Sequence, residues 1–317
     1  MSVKFIDLFC GLGGFRVALE KVGRELELGS ECVFSSDIDP FVQKIYFDNF
    51  GEAPFGDLKA VNEYSIPNHD LLLAGFPCQP FSIIGKGQGF DDTRGTLFFD
   101  IARILNARRP RAFVLENVKQ IVSHNQGRTL SRILMVLNNL GYSVQYKVLN
   151  ALDFGLPQKR ERVFIIGQKS PFIFDWNFGK IQMEPLSALL ESDVSEKYYA
   201  SEKIVQKRKA KHTPKTSPAV WHENKSGNVS SYPYSCALRA GASYNYLLVN
   251  GERRLTPREM FRLQGFPDTY QITVNDSQAR KQAGNSLPVP MAYHVLRKFL
   301  PLAFPELMRP AREEKYG

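Results

Sequence analysis

The chain is poor in cysteine. Its 317 residues include four: Cys10, Cys32, Cys78 and Cys236. None is paired at metal-ligand spacing, so we expect no bound metal, and four cysteines in a chain of this length do not form a disulfide framework. Reduced thiols, as found in cytosolic proteins, are the simplest interpretation.

Long apolar runs are also missing. None approaches the length needed to cross a membrane, and residues 1–9 carry Lys4 and Asp7 and lack the apolar core of a signal peptide. We therefore expect a cytoplasmic location. The composition, with 43% hydrophobic and 23% charged residues, excludes a disordered protein. The length suits one large domain with a smaller lobe.

Acidic residues are fewer than basic ones. Lys and Arg outnumber Asp and Glu by 41 to 32, which gives a formal net charge of +9. Such an excess favours a polyanionic partner, and nucleic acid is the commonest one. A soluble basic protein without such a partner fits the charge equally well.

Short apolar runs alternate with amphipathic stretches over the first 170 residues, which is typical of a mostly parallel, doubly wound α/β sheet. The pattern is irregular from residue 170 to about 250, and helical periodicity returns at 256–264 and 289–299. The predicted strands are residues 4–9, 32–35, 71–74, 112–115, 144–149 and 163–167. The predicted helices of the first part are residues 15–22, 39–50, 97–107 and 129–140.

A glycine-rich segment joins the first predicted strand to the first predicted helix. Gly11 and Gly13 allow a tight turn and the close approach of a ligand to a helix N-terminus, although a plain strand–helix turn has the same composition. Asp37 ends the next strand, where an acidic residue typically holds a ribose diol. Ile38 is suited to pack on an adenine, and Asp57 is suited to accept a hydrogen bond from an amino group. Together these features indicate a bound adenosine moiety of unspecified kind.

Cys78 lies in the segment GFPCQPFS, residues 75–82, directly after a predicted strand. Pro77 and Pro80 stiffen the turn at a strand end, where open α/β sheets place their chemistry, and a thiolate there would be a nucleophile. The glycine-rich residues 83–96 are expected to close over a substrate. A small buried thiol is the usual fate of a free cysteine, but the Pro-Cys-Gln-Pro context favours the nucleophile.

Charged residues follow or precede two further strands. Glu116 comes directly after the predicted strand 112–115 and is suited to donate a proton or hold an amino group. Arg160 and Arg162 precede the strand 163–167. Because alternate residues of an extended segment share a face, we expect the two arginines to point the same way and to clamp a phosphate or a base. A solvated run of charges is the alternative.

In this order, the motifs resemble those of the bacterial DNA (cytosine-5) methyltransferases of type II restriction–modification systems, close to the short, single-target enzymes of the GCGC-specific type. Two further segments, RLTPRE at 254–259 and GNS at 284–286, resemble the ninth and tenth motifs of that family. The resemblance covers nearly the whole chain except residues from about 171 to 250.

The resemblance implies a doubly wound, Rossmann-like domain that depends on S-adenosyl-L-methionine, with a second, smaller target recognition domain. The implied boundaries are 1–170 for the catalytic and cofactor-binding domain, 171–250 for the target recognition domain, 251–283 for a hinge region and 284–317 for the C-terminal return to the catalytic domain. The implied cofactor-binding residues are Gly11, Gly13, Phe15, Asp37, Ile38, Asp57, Leu58, Pro77, Leu97, Asn285 and Ser286. Asp37 and Ile38 stand where the family often has glutamate followed by an aromatic residue.

The resemblance also implies a mechanism. A thiolate adds to C6 of a cytosine that has been flipped out of the duplex, and C5 becomes able to accept a methyl group. A glutamate contacts N3 and the exocyclic amine, and arginines orient the base. The implied catalytic residues are Cys78, Glu116, Arg160 and Arg162, and the implied DNA contacts are Gln79 and Ser82.

The implied partner is double-stranded DNA, bound by a monomer associated with the bacterial nucleoid. A cognate restriction endonuclease would act on the same site without a required complex. The basic cluster at residues 203–211 is suited to phosphate contacts, and a solvated helix face is the alternative.

Three other functions remain as alternatives. A tRNA methyltransferase of the same superfamily normally carries a Cys-Phe-Thr tripeptide, and methyltransferases that modify an exocyclic amine carry a Pro-Pro-Tyr/Phe type motif; both are absent. A catalytically silent DNA-binding regulator is disfavoured by the intact Cys78, Glu116 and Arg160.

Overall fold

The computed structural model describes residues 2–77 and 97–308. Its strands, in chain order, are β1 Ser2–Leu8, β2 Gly29–Ser36, β3 Leu71–Gly75, β4 Ala112–Val118, β5 Ser143–Asn150, β6 Gln158–Lys159, β7 Glu161–Gln168, β8 Val220–Glu223, β9 Val229–Tyr232, β10 Ser235–Cys236 and β11 Leu247–Val249. Its α-helices are α1 Gly14–Glu25, α2 Pro40–Phe50, α3 Leu97–Arg108, α4 Arg128–Asn139, α5 Leu186–Leu189, α6 Glu202–Lys209, α7 Pro257–Leu263, α8 Asp276–Asn285 and α9 Val289–Ala303.

A six-stranded sheet in the order β2-β1-β3-β4-β7-β5 organises the fold. The first four of these strands run parallel, and β7 runs antiparallel to both of its neighbours. The reversed strand has a simple cause. Only residues 151–160 connect β5 to β7, and a parallel pair needs a crossover of roughly a dozen residues or more. The predicted mostly parallel, doubly wound sheet is confirmed.

Both faces of the sheet are covered, which explains the continuous apolar runs of the central strands. Along β3, Leu71 and Leu73 join one hydrophobic core while Leu72 and Ala74 join the other, because successive side chains of a strand point to opposite faces. Helices α1 and α9 pack together over the first core, and α3 and α4 cover the second. The C-terminal helix therefore returns to the N-terminal part of the chain.

Local signals in the sequence set the ends of the elements around β2. Asp39 begins α2 by accepting a hydrogen bond from the Phe41 N–H, with Pro40 at the first helical position. Gly51 ends the helix in the left-handed region. Gly13 precedes α1 with φ of 70°, and a Cβ there would lie 2.5 Å from the Phe50 ring, so this turn requires glycine.

The region from 170 to 250 contains elements that the sequence did not predict. A small antiparallel sheet has the order β11-β8-β9, and β10 pairs in parallel with β6. The basic cluster lies on and just after α6. There Lys203 and Lys207 are exposed while Arg208 is 1% exposed. No helix among residues 2–77 and 97–308 is long and apolar enough to cross a membrane.

Candidate active site

A cavity of about 630 Å³ opens beyond the carboxyl ends of the parallel strands. Residues that follow β1, β2 and β3 line it, together with the end of β4 and the beginning of β7. This is the edge at which open α/β sheets bind their ligands. The last turn of α8 and the residue after it, Gly284 to Ser286, close another side.

Most of the residues predicted to bind a cofactor meet in this cavity. Those that line it are Gly11, Asp37, Ile38, Asp57, Leu58, Pro77, Leu97, Asn285 and Ser286.

The other two predicted cofactor residues do not line the cavity. Phe15 is 1% exposed and packs edge-on against the ring of Phe164, with ring centroids 6.4 Å apart. The Cβ position of Gly13 faces Phe50. In the structure both residues shape the turn and the core beneath it, because the first turn of α1 directs Phe15 towards Phe164 of the sheet. Their contact with the cofactor stays a prediction.

Asp37 is a fixed acceptor in the wall of the cavity. Its Oδ2 accepts a hydrogen bond from the Gly11 N–H at 3.0 Å, and its Oδ1 accepts from the Asp39 N–H at 3.0 Å. Burial raises the pKa of the Asp37 carboxyl, although these two N–H groups act in the opposite direction. Each oxygen keeps a lone pair for a further donor, as a ribose diol would supply.

Ile38 presents an apolar surface beside this acceptor. Its side chain is 69% exposed although it lines the cavity. An aromatic ring bound there would remove that surface from water, which is favourable.

The site also includes two residues of α8 that were not predicted from the sequence. Lys281 Nζ lies 2.8 Å from Asp39 Oδ2, and Gln282 donates to the same oxygen at 3.0 Å. These contacts tie α8 to the start of α2. No sequence signal found them, because α8 itself was not predicted.

Glu116 and Arg162 form an ion pair at the floor of the cavity. Arg162 Nε lies 2.7 Å from Glu116 Oε1, and both side chains are largely buried. The strand register produces this contact, since Val118 of β4 lies opposite Arg162 of β7. Burial raises the pKa of the Glu116 carboxyl, and the nearby guanidinium groups of Arg162 and Arg160 lower it by less.

Arg160 does not share the face of Arg162, which corrects the prediction of a paired clamp. Its side chain is 1% exposed and donates to the backbone carbonyl oxygens of Leu238, Gly284 and Ser286 at 2.8, 2.9 and 2.6 Å. Burial lowers the pKa of this guanidinium to about 9, so it stays protonated at neutral pH. It does not line the cavity.

Asn117 fastens the end of β4 to the segment that leads to Cys78. Its Nδ2 donates to the Phe76 carbonyl oxygen at 2.8 Å, and its Oδ1 accepts from the Val118 N–H at 2.8 Å. The side chain is 1% exposed. Pro77, which precedes Cys78 in the sequence, lines the cavity. Cys78, Gln79, Ser82 and the predicted closing loop at 83–96 lie outside the described residues.

These features agree with the comparison to known protein families. Residues 3–300 match the family model of the C-5 cytosine-specific DNA methylases. The chain belongs to that family. It is an S-adenosyl-L-methionine-dependent DNA (cytosine-5) methyltransferase, and the expected resemblance is confirmed.

Relatives cover nearly the whole methyltransferase. It is 54% identical to the type II methyltransferase M.NgoBI of Neisseria gonorrhoeae over 99% of this chain and 96% of that protein. It is 55% identical to M.HaeII of Haemophilus aegyptius over 91% of this chain and 90% of the other. Against M.HhaI of Haemophilus parahaemolyticus the identity is 42% over 93% of each chain.

Solved structures with low identity show the same fold. The Dnmt2 methyltransferase of S. pombe superposes with a TM-score of 0.74 at 20% identity, covering 95% of this chain and 100% of that one. A putative DNA modification methyltransferase encoded within an E. coli prophage gives a TM-score of 0.72 at 22% identity, covering 95% and 99%.

The charges in the cavity of the methyltransferase fit its cofactor, which carries a sulfonium, an ammonium, a carboxylate and a ribose diol. Ion pairs with Lys281 and Arg162 balance two of the wall's carboxylates, those of Asp39 and Glu116. Asp37 and Asp57 remain for cationic groups and hydroxyl donors. The acidic residues of the wall are Asp37, Asp39, Asp57 and Glu116, and the basic ones are Lys59, Arg162 and Lys281.

Proposed function

We propose that this methyltransferase modifies C5 of a cytosine flipped out of a specific short duplex sequence, with Cys78 as its nucleophile. One observation carries the proposal. The Glu116–Arg162 pair faces the same cavity as Asp37 and as Pro77, the residue before Cys78. The carboxyl and guanidinium of this pair are suited to bind the edge of a pyrimidine. They lie in the same cavity as the acceptor for an adenosine moiety and the segment that leads to the nucleophile.

Cys78 acts on the ring as a thiolate. The thiolate bonds to C6 of the cytosine, the electron density released makes C5 nucleophilic, and C5 accepts the methyl group. A base then removes the C5 proton, the bond from Cys78 to C6 breaks, and 5-methylcytosine leaves. S-adenosyl-L-methionine, when bound, supplies the methyl group as an activated sulfonium.

Glu116 holds the Watson–Crick edge of the flipped base. Because burial raises its pKa, the carboxyl is suited to carry a proton that it shares with N3 as electrons move into the ring. Its other oxygen accepts from the exocyclic amine. Arg162 orients the carboxyl through the 2.7 Å contact and neutralises charge on the base, whereas Arg160 acts only by positioning backbone.

Asn117 is a positioning residue for the nucleophile. Its hydrogen bond to the Phe76 carbonyl oxygen fixes the chain two residues before Cys78 to the strand that carries Glu116. We assign Gln79 and Ser82 to contacts with the flipped nucleotide or its backbone.

The remaining parts of the chain provide recognition. We infer that residues 1–170 are the catalytic and cofactor-binding domain, 171–250 the target recognition domain, 251–283 a hinge region and 284–317 the C-terminal return. The protein acts as a monomer on double-stranded DNA, and its substrate brings it to the nucleoid. It protects its site from a cognate restriction endonuclease without forming a complex with it.

Methyl transfer from labelled cofactor tests this function. Duplex DNA should be labelled and tRNA should not, and Cys78→Ser should lose transfer while still binding DNA. Cys32→Ser is the matched control, because burial raises the pKa of that thiol to about 12 and leaves it un-ionised. Turnover in Cys78→Ser, labelling of tRNA alone, or DNA binding without turnover in the wild type would each overturn the proposal.

A further inference from the structure

Residues 235–240, here called the recognition segment, lie directly against the wall of the cofactor cavity. At its start β10 pairs with β6. Further on, a Cβ on Gly284 would lie only 2.4 Å from the Ala240 nitrogen. Since Gly284 also lines the cavity, the backbone of the recognition segment and the cavity wall touch with no side chain between them.

Buried polar side chains fix this segment from both sides at Leu238. The Leu238 N–H donates to Gln158 Oε1 at 3.0 Å, and the Leu238 carbonyl oxygen accepts from Arg160 at 2.8 Å. Gln158 and Arg160 are 0% and 1% exposed. Both backbone polar groups of Leu238 are therefore satisfied by buried side chains, which fixes this short irregular segment at that residue.

Arg239 is the residue that this fixed backbone presents to solvent. Its N–H donates to the Tyr246 hydroxyl at 2.9 Å, and its guanidinium carbon lies 4.8 Å from the centroid of that ring. Tyr246 is 6% exposed, whereas Arg239 is exposed. Among the residues that the structure describes, Arg239 has no carboxylate within ion-pair distance, so its guanidinium donors are not taken up by an ion pair, and the contact with the Tyr246 ring restricts the direction of the side chain.

The other arginine between residues 171 and 250 has a structural role. Arg208 is 1% exposed, lies 3.1 Å from Glu223 and donates to the Asn245 carbonyl oxygen. The exposed cations of α6, such as Lys203 and Lys207, are point charges on flexible stems. Arg239 therefore combines a planar guanidinium whose N–H donors are not in an ion pair with a backbone that is fixed by hydrogen bonds. Neither Arg208 nor these lysines combine these properties.

We propose that Arg239 reads a guanine of the recognised sequence through its O6 and N7 acceptors. A bidentate contact from arginine to these two atoms is the commonest specific contact in the major groove, and it requires the pre-organised geometry seen here. The proposal rests on the proposed function, since it names how that function selects its site. Because Ala240, the next residue, contacts Gly284 in the wall of the cofactor cavity, the residue that would read the base lies close to that wall.

The test compares discrimination, not activity alone. The site is first mapped by sequencing 5-methylcytosine in DNA from cells that express the wild-type protein. Wild type, Arg239→Gln and Arg239→Lys are then assayed for kcat/KM on the mapped duplex and on duplexes in which each G·C pair outside the target is replaced singly by A·T. Arg132→Gln, on the exposed face of α4, is the matched control.

Both Arg239 variants should lose roughly 5- to 150-fold of discrimination at one G·C pair and keep it at the others. Lysine at position 239 should not restore the discrimination, because a single ammonium group cannot replace the paired donors of the planar guanidinium. Arg132→Gln should match the wild type. A uniform loss of kcat/KM over all duplexes, with a smaller salt dependence, would show a phosphate contact instead and would overturn the proposal. Rescue of discrimination by lysine, or discrimination equal to that of the wild type in both variants, would overturn it as well. If the wild type methylates no DNA, the proposed function fails independently of Arg239.

Discussion

The Nε atom of Arg162 lies 2.7 Å from Oε1 of Glu116, at the point where β4 and β7 run antiparallel. The contact joins two largely buried side chains of opposite charge, and both line the cavity. It depends on the reversed direction of β7, since the register puts Arg162 opposite Val118, two residues beyond Glu116.

Glu116→Gln tests the acid of this pair. Glutamine keeps the shape but cannot carry the shared proton, so we expect kcat for methyl transfer to fall by about 10²- to 10⁴-fold. Glu31→Gln removes a carboxyl that is 56% exposed and 3.9 Å from Lys4, and should leave kcat unchanged. Steady-state kinetics with labelled cofactor measure both, and a Glu116→Gln enzyme with wild-type kcat would refute the role of Glu116.

Asn117→Asp tests the fastening of the nucleophile segment. A carboxylate cannot donate to the Phe76 carbonyl oxygen, so the segment before Cys78 loses its hydrogen bond to β4. The rate of covalent attachment to a 5-fluorocytosine duplex should fall by more than 10-fold, which corresponds to about 1.4 kcal/mol, while the Kd for cofactor changes little.

A suitable control is Asn49→Asp, which disturbs donors to the Ile45 and Gln271 carbonyl oxygens far from the cavity. It should lower Tm without slowing covalent attachment. If both aspartate variants slow attachment equally, a general loss of stability explains the effect and Asn117 has no positioning role.

Asp37→Asn tests both the cofactor acceptor and its pKa. Because burial raises the pKa of Asp37 in the folded protein, its contribution to stability is fully present below the pKa of an unfolded aspartate, about 3.9, and is lost as pH rises through the folded value. The free energy of unfolding of the variant relative to the wild type should therefore increase from about pH 4 towards neutrality, while cofactor binding weakens.

The control for this pH dependence is Asp175→Asn. A hydrogen bond from Lys298 lowers the pKa of that exposed carboxyl, so the difference between variant and wild type should run in the opposite direction. Urea unfolding at several pH values and calorimetric titration with cofactor measure these quantities. A pH-independent difference for Asp37→Asn would contradict the assigned burial effect.

Gly284→Ala tests the contact between the recognition segment and the cavity wall. The added Cβ would lie 2.4 Å from the Ala240 nitrogen, so backbone must move, at a cost of about 1–3 kcal/mol. Cofactor affinity and discrimination among DNA sequences should both decrease. At Gly241, no atom lies within 4 Å of an added Cβ, so Gly241→Ala should keep the wild-type Tm; equal Tm values for the two variants would count against the close contact.

The sheet and its helices could be predicted from sequence because their signals are local. Runs such as Leu71–Gly75 are apolar throughout, and helices such as Arg128–Asn139 have one apolar face. Helix α8 was not predicted, because the side chains it buries are small or polar: Ala279, Gln282, Ala283 and Gly284. The strands of residues 220–249 are two to four residues long, too short for a periodic pattern, and long-range pairing forms them.

The arginine pair shows why the rest of the site could not be predicted. Alternate residues share a face only within one continuous strand. The chain leaves β6, which pairs with β10, before it enters β7, which pairs with β4 and β5. Arg160 lies at this change of partner, so its side chain turns to the recognition segment while Arg162 faces Glu116.

Trapping with a duplex that carries 5-fluorocytosine at the mapped site tests the central claim most directly. Fluorine at C5 cannot leave as a proton does, so the bond between the enzyme and C6 should persist after methyl transfer. Peptide mass spectrometry should then find the nucleotide attached at Cys78 in the wild type, and no adduct in Cys78→Ser. Attachment at Cys10, Cys32 or Cys236, or an adduct in the Cys78→Ser protein, would contradict Cys78 as the nucleophile.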